Sequence, residues 1–241
     1  MPKTGVTLAG REQIADATWS FRFGLGDQSL PYRPGQTVDL TLEDPLYSDA
    51  AGNRRTFSLA AAPSSDRLVI ATRTRGSAFK RSLLEMPLGA KLELEGPFGS
   101  FTLPGRASSV VMLAGGIGVT PFRAMIEDSL QRSREHSLLL IHSNRTPEET
   151  PFLDEFKQWS QESLRFDYHP TMTQAERSRG GWNGERGRVD IGLLERVLAS
   201  ERGTPLFYVA GPQRFVKGVV EALGKLEVDE DRIRFEEFSG Y

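Results

Sequence analysis

The 241-residue sequence contains no cysteine. This absence excludes disulfides, thiol catalysis, cysteine-ligated zinc and an iron–sulfur cluster held by the chain itself. Histidine is scarce as well: His136, His142 and His169 are the only three, and their spacing fits neither a metal site nor a Ser/His/Asp triad. We therefore treat all three as structural, predict no metal site, and expect the chemistry to come from a bound cofactor or from ordinary side chains.

The chain also lacks a dominant charge and a long apolar run. Its formal net charge is −2 and its pI is near 6.0, which predicts no general attraction to nucleic acid or to an anionic membrane. No apolar run approaches the roughly 20 residues of a membrane helix, so we expect no membrane insertion. The first residues show no signal-peptide pattern, and a cytoplasmic location is the default expectation.

The two halves of the sequence follow different patterns. Up to residue 104, short segments alternate with period two between turn signals, as in an antiparallel, Greek-key β-barrel. From residue 105, apolar runs alternate with helical patterns, which predicts parallel βαβ units. The predicted fold class is therefore two domains: an antiparallel β-barrel over residues 1–104 and an α/β parallel-sheet nucleotide-binding domain over residues 105–241.

The elements behind this prediction are short and regularly spaced. In the first half the predicted strands are Thr18–Phe23, Gln36–Leu42, Arg55–Leu59, Arg67–Thr72 and Lys91–Glu95, with one helix at Ser77–Met86. In the second half they are Ser109–Leu113, Leu138–Ile141, Leu164–Tyr168 and Pro205–Val209, with helices at Pro121–Gln131, Pro151–Gln161, Ile191–Ala199 and Gln213–Leu223. Met172–Arg188 is predicted to be a long mobile loop.

The most informative segment reads Ala-Gly-Gly-Ile-Gly-Val-Thr-Pro over residues 114–121, directly after a buried-strand pattern. Gly115, Gly116 and Gly118 let the backbone turn sharply and leave room for a ligand, and Thr120 can cap the helix that follows. Strand, glycine turn and helix start together predict a phosphate or diphosphate site. The spacing differs from the usual Gly-x-Gly-x-x-Gly fingerprint, and a plain tight βα turn is the alternative.

Further short motifs stand before and after the glycine turn. They are Tyr32–Gln36, Arg55–Ser58, Gly76–Lys80, Gly96–Gly99, Tyr208–Pro212 and the tail Glu236–Tyr241. In this order and with these separations, they resemble the ferredoxin–NADP reductase family of flavoproteins over essentially the whole chain. The resemblance implies an N-terminal barrel that holds a flavin and a C-terminal domain that holds NAD(P)H.

The segment Arg55-Thr56-Phe57-Ser58 resembles the family's Arg-x-Tyr/Phe-Ser motif. The resemblance implies that Arg55 binds a flavin phosphate, that Phe57 stacks on the isoalloxazine, and that Ser58 bonds near its N5. In a strand, Arg55 and Phe57 share one face while Thr56 and Ser58 share the other, although alternation can relax at a strand end. A barrel strand with a core Phe and a surface Arg is the alternative.

A second phosphate element is implied by Gly76, Ser77, Ala78 and Phe79. Ser77 at a helix start offers free amides and a hydroxyl to a pyrophosphate, although a capped surface helix is also possible. Two phosphate elements in the barrel favour FAD over FMN. Four neighbouring cationic residues make this patch basic: Arg73, Arg75, Lys80 and Arg81. They could contact phosphate or an acidic protein partner, or simply face solvent.

In the second half, the resemblance places the diphosphate of NAD(P)H over the glycine turn and Thr120. Ser143 and Arg145 follow the second predicted parallel strand, where the family sets its preference for the adenosine ribose. No Asp or Glu stands beside them to accept a ribose 2′-hydroxyl, whereas Arg145 can pair with a 2′-phosphate. NADP(H) is therefore favoured over NAD(H), although an Arg after a strand can also be merely exposed.

Two motifs near the end concern the nicotinamide and the flavin. Ala210 and Gly211 align with a family motif that usually reads Cys-Gly-Pro, and hydride transfer should tolerate the alanine because the two cofactors make and break the bonds. The tail resembles the family's closing Glu-x-aromatic, which implies that Glu236 acts near the reaction centre and that Phe238 or Tyr241 covers the flavin. A last strand with Ile233 and Phe235 facing inward explains the first half of this segment equally well.

Taken together, the resemblance implies an enzyme that passes hydride from NAD(P)H to FAD and then single electrons to a separate acceptor. Ferredoxin, flavodoxin, an oxygenase component and a quinone are all compatible acceptors. Ser58 and Glu236 are the candidate catalytic residues. Two alternatives remain: a flavin-binding electron-transfer subunit or redox sensor that does not itself oxidise NAD(P)H, and a flavin-free NAD(P)-binding module.

Overall fold

The structure is a computed structural model that describes residues 3–63, 67–106, 108–132, 135–199 and 203–238. It divides into two compact units, each built on its own six-stranded sheet. The first consists of the described parts of Met1–Leu103 together with Thr120–Asp128, and the second of the described parts of Pro104–Val119 and Ser129–Gly240. One sheet is antiparallel and curled, and the other is parallel, so the predicted fold class is confirmed.

The antiparallel sheet has the strand order β4-β3-β6-β1-β2-β5, which requires crossing connections. Its strands are β1 Lys3–Ala15, β2 Thr18–Gly24, β3 Thr37–Leu42, β4 Arg54–Ser58, β5 Leu68–Arg73 and β6 Lys91–Phe98. An isolated bridge pairs Leu59, just after β4, with Ile70 of β5, and Ala60 donates to the carbonyl of Val69 at 2.8 Å. Because β4 and β5 are the two edge strands, these contacts bring the edges together and curl the sheet.

Helix α1, Ala78–Glu85, is the predicted helix of the first half. Ser77 caps it: the Ser77 Oγ accepts from the backbone N–H of Lys80 at 3.5 Å, and Met86 ends it. Phe79 and Leu83 point into the barrel core because they lie four residues apart on one helix face. The cap and the apolar spacing together explain why the helix begins and ends where the sequence predicts.

Strand β1 is missing from the predicted elements. Its buried positions alternate regularly from Thr4 to Gly10, but Val6 and Leu8 are the only large apolar residues among them. Threonine and glycine fill the remaining inward positions, so the hydrophobic alternation is weak in the sequence. Pairing with β2 on one side and β6 on the other fixes β1 in the sheet.

The parallel sheet has the strand order β10-β9-β8-β7-β11-β12. Its strands are β7 Ser109–Gly115, β8 Ser137–Asn144, β9 Phe166–Met172, β10 Glu185–Arg186, β11 Leu206–Pro212 and β12 Ile233–Phe238, and the remaining helices are α2 Thr120–Gln131, α3 Leu153–Glu162, α4 Ile191–Leu198 and α5 Gln213–Lys225. The chain runs from β7 to β8 on one side and later returns to β11 on the other. Such a switch in strand order leaves a crevice at the carboxyl ends of the strands, where open α/β sheets bind ligands.

Three predictions for the second half need correction. Thr120 is the first residue of α2 rather than its cap, because Gly116–Val119 already forms a 3₁₀ turn with Ile117 and Val119 buried. Strand β9 begins two residues later than predicted and continues to Met172, since it pairs with β8 along its whole length, and Leu164 is fully exposed. Phe235 is 57% exposed and does not face inward, because β12 is an edge strand.

No helix in the described part of the chain has the length and apolar character needed to cross a membrane. Nor do its His, Asp and Glu side chains form a group of three or more that could hold a metal ion.

Candidate functional site

The end of strand β4 carries the Arg-x-Phe-Ser motif of the barrel unit. Phe57 and Ser58 are both buried, so alternation does relax at this strand end, while Thr56 is exposed and donates to Asp39. The Ser58 Oγ has no hydrogen-bond partner among the residues that the structure describes. A buried hydroxyl without a partner costs about 1–3 kcal/mol, so Ser58 is poised to bond a ligand atom.

The segment after Ser58 is held by the first turns of α2, which belong to the barrel unit. Arg123 donates to the carbonyl of Ala60 at 2.6 Å, and the N–H of Ala62 donates to Glu127 at 2.6 Å. Arg123 and Glu127 lie one helical turn apart and pair at 3.4 Å. These contacts fix the backbone that leaves β4 and therefore the position of Ser58.

Arg55 and α1 form a basic cluster beside this strand. The Arg55 guanidinium carbon lies 5.4 Å from the centroid of the Phe79 ring, and the Phe57 and Phe79 centroids are 5.8 Å apart. Lys80 is only 7% exposed, and burial together with the charges of Arg55 and Arg73 lowers its pKa. Cations concentrated in this way favour an anionic ligand.

In the parallel-sheet unit, the glycine turn packs against the end of β11. A Cβ on Gly118 would lie 2.4 Å from the Ala210 carbonyl oxygen and 2.6 Å from the Gly211 Cα, and one on Gly115 would lie 2.7 Å from the Phe215 ring. Gly116 has a φ of +57°, which favours glycine. The close approach of the β11 backbone therefore requires Gly118, and the Phe215 side chain requires Gly115, reasons that the sequence alone does not give.

His142, treated as structural at the sequence level, holds this turn from within the sheet. It is fully buried on β8; its Nε2 lies 2.9 Å from the Gly116 carbonyl oxygen and its Nδ1 lies 3.2 Å from the Tyr168 hydroxyl. Because a carbonyl can only accept, Nε2 carries the hydrogen and Nδ1 accepts from Tyr168. Burial raises the pKa of Tyr168, so the phenol stays neutral and keeps its proton to donate.

Glu236 lies beside Ala210, because the two residues are opposite each other in the register of β11 and β12. Its Oε2 is buried without a hydrogen-bond partner in the described part of the chain, and burial raises the pKa of the carboxyl from 4.5 to about 7. The structure thus brings four predicted site residues together in this unit: Gly118, Ala210, Gly211 and Glu236. Phe238 ends β12 and is partly buried, and Tyr241 lies outside the described residues.

Ser143 lines a cavity of about 690 Å³ at the carboxyl end of the parallel sheet. Arg188 and Arg214 also line it, with Thr173 and Asp190, whereas Arg145 does not. Arg145 is exposed and lies 3.9 Å from Glu149. The sequence offered no signal for Arg214, because it is an ordinary surface residue at the start of a helix.

The segment that the sequence predicts as a mobile loop is tied to Glu148. Its Oε1 accepts from the Ser178 Oγ at 2.9 Å, the Arg179 N–H at 2.7 Å and the Gly180 N–H at 3.2 Å. Burial acts to raise the pKa of Glu148, but these and its own backbone hydrogen bonds outweigh it and lower the pKa to about 2. The loop also contributes β10, which pairs with the end of β9.

Comparisons with known proteins identify relatives of the chain. Residues 112–221 match the family described as oxidoreductase NAD-binding domain. The chain is 34% identical over 217 residues to ferredoxin–NADP reductase B of Sorangium cellulosum, which covers 86% of this chain and 85% of that relative. It is 30% identical over 239 residues to a flavohemoprotein of Pseudomonas putida, covering 96% of this chain but only 58% of the relative.

A solved structure shares the fold. It is a ferredoxin NADP⁺ reductase from Neisseria gonorrhoeae with bound FAD and NADP, which superimposes with a TM-score of 0.79 over 98% of this chain and 99% of that one. The two sequences are 22% identical, so this likeness concerns the fold.

Proposed function

Because the chain belongs to the ferredoxin–NADP reductase family and is an oxidoreductase of that type, we propose that it transfers electrons from NADPH through FAD to a separate protein acceptor. The barrel, residues 1–104, holds the flavin, and the parallel-sheet domain, residues 105–241, holds the nucleotide. One observation carries the proposal: a buried Ser58 hydroxyl, without a hydrogen-bond partner among the described residues, ends the strand that also carries Phe57 and Arg55, beside a cationic cluster.

The residues of the barrel fit a flavin. Arg55 and the amides at the start of α1, after Gly76 and Ser77, bind the phosphates, and the double phosphate element favours FAD over FMN. Ser58 donates a hydrogen bond to the ring system, and Phe57 supplies an aromatic surface against it. When bound, the flavin supplies the chemistry that links a two-electron donor to a one-electron acceptor.

The residues of the parallel-sheet unit fit a dinucleotide. The glycine turn, with Thr120 directly after it, receives the diphosphate at the switch point of the sheet. Ser143, Arg188 and Arg214 line the cavity that we assign to the adenosine end, and Arg145 directly follows β8, the strand that carries Ser143. Arginines in this position favour the 2′-phosphate of NADP(H) over NAD(H).

Ala210, Gly211 and Glu236 form the nicotinamide end of the proposed site. Ala210 leaves a small residue there, and Gly211 keeps the backbone close to Gly115. The Glu236 carboxyl, with a pKa of about 7, holds a proton for part of the time at neutral pH and can donate or accept a hydrogen bond. Phe238 or Tyr241 is the aromatic residue that covers the flavin.

We expect Glu236 to make the stability of the flavin-free protein depend on pH. Its folded pKa lies above the unfolded 4.5, so its contribution is complete below pH 4.5 and is lost as the pH rises through about 7. The free energy of unfolding of wild type should therefore fall by roughly 1–2 kcal/mol relative to that of Glu236→Gln across this window. This value is reduced from the full pKa shift because the carboxyl is partly exposed to solvent. Urea denaturation of both proteins from pH 4 to pH 8 measures the difference. Glu237→Gln, exposed on the same strand, should run parallel to wild type, and a similar divergence for Glu237→Gln would contradict the assignment.

A ferredoxin is the acceptor we favour, because a relative that is 34% identical to the chain, and of whose length the chain covers 85%, is a ferredoxin–NADP reductase. Flavodoxin, an oxygenase component and a quinone are the other candidates. The acceptor is a separate molecule, since a chain without cysteine cannot ligate an iron–sulfur cluster in the usual way.

An anaerobic titration tests the proposed function. The purified protein should be yellow, and NADPH should bleach its flavin absorbance within seconds and more efficiently than NADH. A colourless protein that no flavin reconstitutes would contradict the flavin assignment. A yellow protein that neither nucleotide bleaches would instead support the flavin-binding subunit or redox sensor.

A further inference from the structure

The Asp49 carboxylate lies at the part of the barrel unit that we assign to phosphate binding, beside Arg55 and the start of α1. The loop between β3 and β4, residues 43–53, carries Asp49 to the start of α1. There the Asp49 Oδ2 accepts from the backbone N–H of Ala78 at 3.0 Å, and its Oδ1 lies 3.6 Å from the Arg55 Nη2. The same carboxylate thus engages a helix-start amide and the guanidinium that we assign to flavin phosphate.

The loop is fastened to α1 at the other end of the helix. The Tyr47 N–H donates to the Ser82 Oγ at 2.8 Å, and the Tyr47 hydroxyl donates to Glu85 at 2.7 Å. The Arg81 guanidinium carbon lies 3.7 Å from the centroid of the Tyr47 ring. The loop therefore lies along the whole of α1, anchored at the helix end by Tyr47 and held at its start by Asp49.

Arg55 is turned toward the same loop. Its Nη1 donates to the carbonyl oxygens of Ala51 at 2.8 Å and Gly52 at 3.0 Å. Asp49 also organises these residues, because its Oδ1 accepts from the Ala51 N–H at 2.9 Å and its carbonyl accepts from the Gly52 N–H at 3.0 Å. The loop and the Arg55 guanidinium therefore contact each other, and both also contact the Asp49 carboxylate.

That single charge does not neutralise its surroundings. Arg55 and Arg73 lie close enough to the buried Lys80 for their positive charges to lower the pKa of its amine. Asp49 is about one-third exposed at its side chain, so it remains open to replacement from solvent. A phosphate ester or diphosphate brings more negative charge and more acceptor oxygens than one carboxylate, and should displace it.

We propose that the Asp49 carboxylate is a displaceable substitute for flavin phosphate and that the incoming cofactor must displace this carboxylate. Asp49 then sets both the affinity for flavin and the dependence of that affinity on the flavin phosphate. This inference rests on the proposed function, in which the barrel binds flavin. It predicts that removing the charge of Asp49 strengthens binding of phosphorylated flavins and leaves the unphosphorylated ring system unaffected.

The experiment titrates the deflavinated full chain with FAD, FMN and riboflavin, following flavin fluorescence. Asp49→Asn and Asp49→Ala should each bind FAD and FMN about tenfold more tightly than wild type, since one charge-assisted contact no longer has to be broken. Riboflavin, which has no phosphate, should bind wild type and variants equally. In the Asp49→Asn variant the side-chain amide oxygen can still accept from the loop amides, so the loop should keep its fold there.

Asp44→Asn is the matched control, because Asp44 is an exposed acid of the same loop. It should leave the affinity for all three flavins unchanged. Unchanged or weaker FAD binding in both Asp49 variants, or an equal gain for riboflavin, would overturn the proposal while leaving the proposed function intact. Failure of wild type and every variant to bind any flavin would overturn the proposed function instead.

Discussion

Replacing Arg55 with alanine is expected to lower the affinity of the deflavinated protein for FAD by about 100-fold. Hydrogen bonds to charged groups each contribute about 1.5–3 kcal/mol, and ~1.4 kcal/mol corresponds to a factor of ten in affinity. The change also removes the ion pair between Arg55 and Asp49. Arg55→Lys should recover only part of the loss, since an ammonium cannot form the paired contacts of a guanidinium. Equilibrium titration of flavin fluorescence measures these affinities.

Arg54→Ala provides the comparison for this result. Arg54 is adjacent on the same strand, and its guanidinium pairs with Asp39 at 2.6 Å and with Glu95 at 2.7 Å. We expect that variant to bind FAD as wild type does. Equal losses in the two variants would show that the effect comes from general positive charge and not from a phosphate contact of Arg55.

Gly118→Ala is expected to have the largest effect on the parallel-sheet unit. The new methyl group would lie within 2.4–2.7 Å of the Ala210 and Gly211 backbones, which are not flexible side chains and cannot move aside independently. We expect the free energy of unfolding to fall by about 2–4 kcal/mol, with flavin reduction by NADPH slowed at least tenfold. Urea denaturation and anaerobic stopped-flow absorbance give the two values.

Gly224→Ala tests whether any added methyl group would act in the same way. Gly224 lies in α5 with nothing within 4 Å of the added Cβ. Alanine is the better helix former by up to about 1 kcal/mol, so this variant should be as stable as wild type or slightly more so. If Gly118→Ala matched Gly224→Ala in both measurements, the close approach of the turn to β11 would have no energetic importance.

Local patterns predicted the elements whose own residues determine them. The capping hydroxyl of Ser77 and the apolar spacing of α1 lie within ten residues of sequence, and the buried run of β7 stands next to its glycine turn. Strand β1 is absent from the predicted strands because threonine and glycine fill half of its buried positions. The alternative in which Phe235 faces inward follows from alternation, which does not reveal that β12 is an edge strand.

The family motifs indicate candidate site residues but not the contacts that hold them in place. Asp49 reaches Ala78 across 29 positions, and His142 reaches Gly116 across 26, so neither contact leaves a local trace in the sequence. The sequence indicates that the glycines of the turn leave room for a ligand. The structure shows that neighbouring protein atoms already require glycine at Gly115 and Gly118. Long-range contacts of this kind arise only once strand order and register are known.

The imidazole beneath the glycine turn determines how that turn is polarised. A peptide group is planar and almost always trans, so the N–H of Ile117 points away from the side on which the Gly116 oxygen meets His142. Holding the negative end of this dipole inside the sheet directs its positive end away from the imidazole. An additional proton on Nδ1 would leave that nitrogen unable to accept from Tyr168, so the imidazole that holds the Gly116 carbonyl would lose this contact.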